Sequence, residues 1–231
     1  SQAIEIVGVS ARSRSRARAV DISGLAWFDS PSDLAAVEGL DVLVELMGGS
    51  DGPAKHAVET ALRRGVAVVT ANKALLAEHG QELATLAEQN RAALRYEAAV
   101  AGGVPVIKVL REGLAANQVT AVAGVLNGTC NYILTRMEAS GAPFGDVLAD
   151  AQRLCYAEAD PTFDVGGFDA GHKLSILAAL CFGGAPNFKS VRIEGIAALE
   201  PVDIAAARDL GRRIKLVGRA RGGQGWRDEV V

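Results

Sequence analysis

The sequence predicts an α/β fold over its first part and an α+β fold with an open mixed sheet over its second. Three observations carry that expectation. Short apolar runs alternate with helical stretches up to about residue 95, the pattern of parallel strands joined by right-handed crossovers. Beyond residue 96, strand-like runs lie on either side of a long apolar helical stretch, a more irregular order of elements. With 231 residues, 49% of them hydrophobic, the chain can bury one large core or two small ones. There is no internal repeat and no low-complexity linker.

Residues 4–9, IEIVGV, read as a buried strand. Arg12, Arg14, Arg16 and Arg18 follow at once. A solvated basic face is the plain reading. If this strand is the second of a dinucleotide-binding fold, its end selects the cofactor: an acid would hold the adenosine ribose of NAD, while arginine suits the 2′-phosphate of NADP. No acid stands at Ser10, Ala11 or Arg12, which favours NADP.

A short helix is expected from Asp33 to Val37 and a buried strand over 41–46, DVLVEL, ending in the Gly48-Gly49 turn. Asp51 is placed to cap a helix from Pro53 to Arg64, with proline at its first position. VAVVT at 66–70 forms the next strand, then Ala71, Asn72 and Lys73, then a helix over 74–90. Ligands of such sheets bind beyond the carboxyl ends of strands. Arg12, Gly49 and Lys73 all fall just past strand ends, so one crevice could hold all three.

LRYE at 94–97 opens the second part, and Glu97 leads into AAVAGGVP, where glycines and a proline break regular structure. A short helix is expected from Val106 to Glu112 and a strand over 119–126. Asn127 or Thr129 can cap a helix to Met137, and Pro143 opens another towards Leu154. VRIEGI and RIKLVGRA read as strands flanking a helix from Asp203 to Leu210.

The stretch from Leu154 to Leu177 concentrates the chemistry. An acidic loop carries Glu158, Asp160 and Asp164, Gly166 and Gly167 turn the chain, and a helix begins near Phe168. Asp169 and Lys173 are four residues apart, which on a helix puts a carboxylate and an ammonium on one face. Taken alone, the pair reads as an exposed helix salt bridge. The sharper reading is a polar site, because the helix is otherwise apolar (Leu174, Ile176, Leu177, Leu180) and charges beside apolar surface are unusual unless paired or functional.

Composition excludes several classes. A net charge of −3 argues against a general nucleic-acid binder, and 5% aromatics leaves few platforms for single strands. No run of 18 apolar residues predicts a membrane span, and no secretory signal is visible. Cys130, Cys155 and Cys181 form no CxxC, which suggests packed thiols in a reducing cytoplasm. His56, His79 and His172 lack zinc-ligand spacing. The loop from Asp160 is not an EF-hand, with Val165 at the turn position that requires glycine and Gly171 where glutamate should close the site.

Five stretches in family order resemble homoserine dehydrogenase: VELMGG (44–49), VVTANKALLA (68–77), YEAAVAGGVPVI (96–107), GVLNGTCNYILTRM (124–137) and AEADPTFDVGGFDAGHKL (157–174). The resemblance implies a cytoplasmic, homodimeric oxidoreductase that interconverts L-homoserine and L-aspartate 4-semialdehyde with NADP (or NAD), in threonine, methionine and isoleucine synthesis. It implies a partial Rossmann-like dinucleotide-binding domain over 1–95 and a substrate-binding and dimerisation domain over 96–231. It places Lys173 at the proton-donor lysine, Asp169 and Glu158 at the homoserine site, and Asp164 at an acidic position nearby. Lys73 matches the lysine beside the nicotinamide and the reacting oxygen, which makes it the second catalytic candidate, since the sequence does not fix which lysine moves the proton. Arg12, Gly49 and Cys155 fall on the cofactor side. Glu97, Val100, Gly102 and Val104 fall on a loop that holds a sodium ion through backbone carbonyls, a donor set that suits a hard cation; without the resemblance they read as a glycine-broken turn.

The departures are equally specific. The family's first strand with its GxGxxG, and its glycine-rich return segment, have no counterpart in the sequence. Cys155 stands where the family has glycine; at positive φ this costs roughly 1 kcal/mol. Three readings therefore stand side by side: an NADP-preferring homoserine dehydrogenase core, a substrate and dimerisation fragment without redox activity, and a related oxidoreductase acting on another small aldehyde.

Overall fold

The computed structural model describes residues 4–223 and 228–231. The chain divides into two compact units, Ser1–Val104 and Pro105–Val231.

In the first unit, β1 (Gly8–Ser10) pairs in parallel with β2 (Ala26–Phe28). Then follow α1 (Pro31–Ala35), β3 (Val42–Glu45), α2 (Pro53–Arg63), β4 (Ala67–Thr70), α3 (Lys73–Gln89) and β5 (Leu94–Arg95). Strands β3, β4 and β5 form a separate three-stranded parallel sheet. The core lies between this sheet and the helices, around Leu43, Val58, Leu62, Val68, Leu75 and Leu83. The parallel α/β order is thus as the sequence predicts.

Several local expectations are corrected. The first strand begins only at Gly8; Ile4 is 95% exposed, and Ile6 and Val7 are exposed too. The strand extends no further than its partner β2, a three-residue strand the sequence reading missed. Strand β3 is not buried on both faces: Leu43 and Glu45 point inward, Val42 and Val44 outward. Asp51 does not cap α2. The cap is Gly52, at φ +70°, with no side-chain bond. Asp51 instead accepts from the Ser50 hydroxyl at 2.9 Å and pairs with His79 Nε2 at 3.0 Å.

In the second unit, α4 (Val106–Lys108) runs into one π-helical turn at Val109–Gly113. Next come β6 (Ala121–Gly124), α5 (Gly128–Ser140), α6 (Phe144–Arg153), α7 (Thr162–Val165), α8 (Phe168–Phe182), β7 (Arg192–Ile193), α9 (Pro201–Asp209), β8 (Gly218–Arg221) and β9 (Glu229–Val230). The sheet order is β6-β8-β9-β7, with β7/β9 parallel and the other two pairs antiparallel: open and mixed, as expected. VRIEGI contributes only two paired residues, and RIKLVGRA three, its strand running on by one residue to Arg221. Helix α8 packs on β6, β8 and β9. Gly171 lets it approach closely, since a Cβ there would meet Ile193 and Phe188 at 2.9 Å.

Helices α2, α3, α6 and α9 end in the same double hook, with the amide two past the cap bonding back to the third-last helical carbonyl. The pairs are Val66–Ala61, Ala92–Ala87, Tyr156–Ala151 and Arg212–Ala207, at 2.8–3.0 Å. The hook needs a left-handed residue. Gly65 and Gly211 supply it for α2 and α9, whereas Arg91 (φ +54°) and Cys155 (φ +60°) do so against the steric preference of a side chain. Cys155 consequently projects from the end of α6 and is exposed, correcting the expectation that all three thiols are packed. Cys130 is buried and Cys181 half-buried.

Candidate active site

The polar centre of the second unit is built where β6 runs into α5. Asn127 is the N-cap of α5, and its Oδ1 accepts the Cys130 N–H at 2.7 Å. Its Nδ2 donates to Asp164 Oδ1 on α7 and to Asp169 Oδ2 on α8, both at 2.8 Å. Lys173, one helical turn beyond Asp169, donates to the same Asp169 Oδ2 at 2.7 Å and to the carbonyl of Leu126 at 2.9 Å. The Asp169 side chain is 5% exposed and that of Lys173 19%. The predicted pair is therefore no surface ion pair. It is half sunk into an apolar helix face, where the effective dielectric is lower and charge pairing stronger.

The neighbours complete the site. Thr129 Oγ1 donates to the Tyr156 carbonyl at 2.9 Å and reaches Asp164 Oδ2 at 3.4 Å. Cys130 Sγ donates to the Asp164 carbonyl at 3.2 Å. Burial, reinforced by the Asp164 and Asp169 carboxylates, pushes the Cys130 thiol up to about 12, so it is a neutral donor and no nucleophile. Tyr132 and Tyr156 stack at 4.5 Å between ring centroids. The site thus offers fixed carboxylates and a fixed ammonium at the buried start of a helix. Such a set can hold a cationic group and stabilise a developing oxyanion.

Sequence reasoning singled out Asp164, Asp169 and Lys173, and the structure brings those three together. Glu158 is different: it is exposed, its main-chain carbonyl accepts from Gln152 Nε2 at 3.1 Å, and its carboxylate joins none of these bonds among the described residues. The sequence marks Asn127 only as one of two candidate caps of α5. Its role between the acids spans 37 and 42 residues of sequence, which no local spacing signals.

The first unit has its own strand-end network. Glu45, buried at the end of β3, accepts from the Thr70 hydroxyl at 2.5 Å and from the Met47 N–H at 2.6 Å. The Asn72 N–H donates to Thr70 Oγ1, Asn72 Oδ1 caps α3 at Leu75, and Asn72 Nδ2 donates to the Gly49 carbonyl at 2.8 Å. The loops carrying Gly49 and Lys73 are thereby tied together. Arg12 lies past the end of the β1–β2 sheet and is exposed. In the adjoining basic loop the Arg18 guanidinium donates to the carbonyls of Ser13, Arg14 and Arg16 and stacks 5.4 Å from the Trp27 ring centroid. A cavity of about 580 Å³ opens there, lined by Arg14, Arg16, Arg18 and Trp27.

Among the glycine-broken residues, Glu97 opens a single 3₁₀ turn and its carboxylate accepts the Gly103 N–H at 3.1 Å. Val100 is fully buried, Gly102 and Val104 are exposed, and Ala101 and Gly103 have positive φ. Among the described residues no group of three or more His, Cys, Asp or Glu side chains is placed to hold a metal ion, and no helix is long and apolar enough to cross a membrane.

Comparison with known proteins gives one consistent result. Residues 105–230 match the family model described as homoserine dehydrogenase, and residues 1–97 match that of the homoserine dehydrogenase NAD binding domain. The homoserine dehydrogenase of Neisseria gonorrhoeae is 53% identical over 196 residues, covering 85% of this chain and 45% of that protein. That of Synechocystis is 42% identical over 230 residues, covering 100% of this chain and 53% of the relative. Among solved structures, the Thiobacillus denitrificans homoserine dehydrogenase superposes with a TM-score of 0.92 at 46% identity, over 97% of this chain and 52% of that one. A hyperthermophilic archaeal homoserine dehydrogenase solved in complex with NADPH gives 0.75 at 29% identity, over 89% and 59%. The chain spans about half the length of the curated relatives it matches.

Proposed function

The chain belongs to the homoserine dehydrogenase family, and from that premise we propose that it serves the NADP-linked interconversion of L-homoserine and L-aspartate 4-semialdehyde in the cytoplasm. The observation that carries this reading is the buried Lys173–Asp169 pair, with Asp164 joined to it through Asn127.

The substrate asks for two kinds of group. Its ammonium is met by carboxylates, and Asp169 and Asp164 take that role, with Glu158 closing over it from the exposed loop. Its aldehyde oxygen gains negative charge during reduction, and Lys173 Nζ holds the proton that oxygen takes up. Leu126 and Asp169 fix that ammonium in place, so no reorganisation is required as charge develops. In the reverse direction Lys173 takes the proton from the homoserine hydroxyl.

On the cofactor side, the turn after β3 lies at the strand ends, where ligands of parallel sheets bind, and a Cβ built at Gly48 or Gly49 would meet nothing within 4 Å. When bound, the nicotinamide supplies or accepts the hydride. Gly49 lines its path, Lys73 serves electrostatically, and Arg12 borders the cofactor, all three within the first unit. Preference for NADP rests on the arginines that follow β1 in place of an acid. Glu97, Val100, Gly102 and Val104 would hold a sodium ion through backbone carbonyls, and the open sheet of the second unit pairs two copies into a dimer.

One observation favours a second reading, a substrate-binding and dimerisation fragment without redox activity. Among the described residues, the parallel strands of the first unit fall into two separate sheets. A single experiment decides: the protein is mixed with L-homoserine and NADP, and the absorbance of reduced cofactor is followed beside a titration of NADP binding. Turnover supports the enzyme reading. Homoserine binding with neither turnover nor NADP binding supports the fragment.

A further inference from the structure

Asn127 carries out two tasks with one side chain. A helix cap alone could be served by serine, threonine or aspartate. Only a carboxamide combines an acceptor for the helix with two N–H donors for other partners. Here the acceptor goes to Cys130 N, and the donors go to carboxylates on two different elements, Asp164 of α7 and Asp169 of α8. Asn127 is 4% exposed, so these bonds face little competition from water. Two carboxylates brought this close repel, and the shared amide offsets that repulsion while fixing their spacing. The adjoining Leu126 carbonyl holds Lys173, so the last two residues before α5 touch all three ionic members of the site.

We propose that Asn127 is a positioning residue for amine recognition: its amide sets the separation of Asp164 and Asp169 so that both carboxylates face one substrate ammonium. The proposal rests on the reading above, in which those acids grip the amine of homoserine.

The test compares the parent chain with Asn127→Ser and Asn127→Thr. Each substitute keeps an oxygen that can cap α5 and removes both amide donors. Binding of L-homoserine and of 4-hydroxybutanoate, the same skeleton without the amine, is measured by calorimetry beside thermal unfolding. The expected result is a melting temperature lowered by a few degrees as the two acids lose their shared donor, homoserine binding weakened by about tenfold or more, and a smaller preference for homoserine over the amine-free compound. Variants that keep the parent's preference overturn the positioning role, and so does an equal loss for both ligands, which marks a structural effect. A parent chain with no preference between the two ligands overturns the amine site itself, and the Asn127 role with it.

Discussion

Lys173 Nζ lies 2.7 Å from Asp169 Oδ2 on a helix where Ala170, Leu174 and Leu177 are buried beside them. Removing the lysine leaves a nearly buried carboxylate with its cation gone, and Asn127 compensates only in part. Lys173→Ala is expected to cost about 1–3 kcal/mol in urea unfolding, below the full penalty of a broken buried pair because Lys173 is partly solvated. Turnover of homoserine should fall by about 10²-fold or more. A variant that folds and keeps full turnover would move the proton-donor role to Lys73.

The pair should also be coupled. Asp169→Asn and Lys173→Met together should cost less than the sum of the two alone, by about 1–2 kcal/mol in a double-mutant cycle. Additive effects would mean that the two side chains act independently despite their contact.

Cys155 occupies the left-handed position that closes α6. Cys155→Gly should stabilise the chain by about 1 kcal/mol and raise its melting temperature by about 2–4 °C. Gly65→Ala, the reverse change at the equivalent position after α2, should destabilise by a similar amount. Calorimetric melting of both variants checks the pair of signs.

The three thiols should separate by reactivity. Cys155 is exposed and reacts first with a disulfide reagent. Cys181 is half-buried, and burial pushes its thiol up, so it follows more slowly. Cys130, raised to about 12, should react only on unfolding. The same shift has a sign in stability. The native thiol titrates above the ordinary value of 9.0, so the unfolded chain loses its proton first and stability declines as pH rises from 9.0 towards about 12. Denaturation of Cys130→Ala against the parent across that range should show a flatter alkaline slope for the variant.

At the acid end the test residue is Asp51. The Ser50 hydroxyl, then His79, holds its carboxyl below the usual value of 3.8. Its contribution to stability is present above that value and disappears as pH falls through the lowered native one. Asp51→Asn should therefore weaken the chain near neutral pH and make no difference once both forms are protonated. An equal effect at both ends would show that the Asp51–His79 contact is not ionic.

How much of this was legible in the sequence depended on range. The Asp169–Lys173 pair is a four-residue spacing on an apolar helix, and Asn127 stands just before the helix it caps; both could be read locally. The strand expected over 4–9 was too long because apolar composition cannot show that a partner, β2, extends over only three residues. Asp51 has the composition of a cap, yet tertiary contact with His79 claimed it. The Asn127 bridge depends on α7 and α8 folding back onto the start of α5, so periodicity could not reveal it.

Strands β1 and β3 each have a hydrogen-bonded partner on one side only among the described residues, and Val42, Val44 and Leu46 stand exposed along the second of them. Bare parallel edges beside apolar side chains are templates for strand addition between molecules. Colloidal behaviour, more than melting temperature, will then set the concentration at which this chain can be handled. A lysine at Val44 is the smallest change that would keep such edges apart.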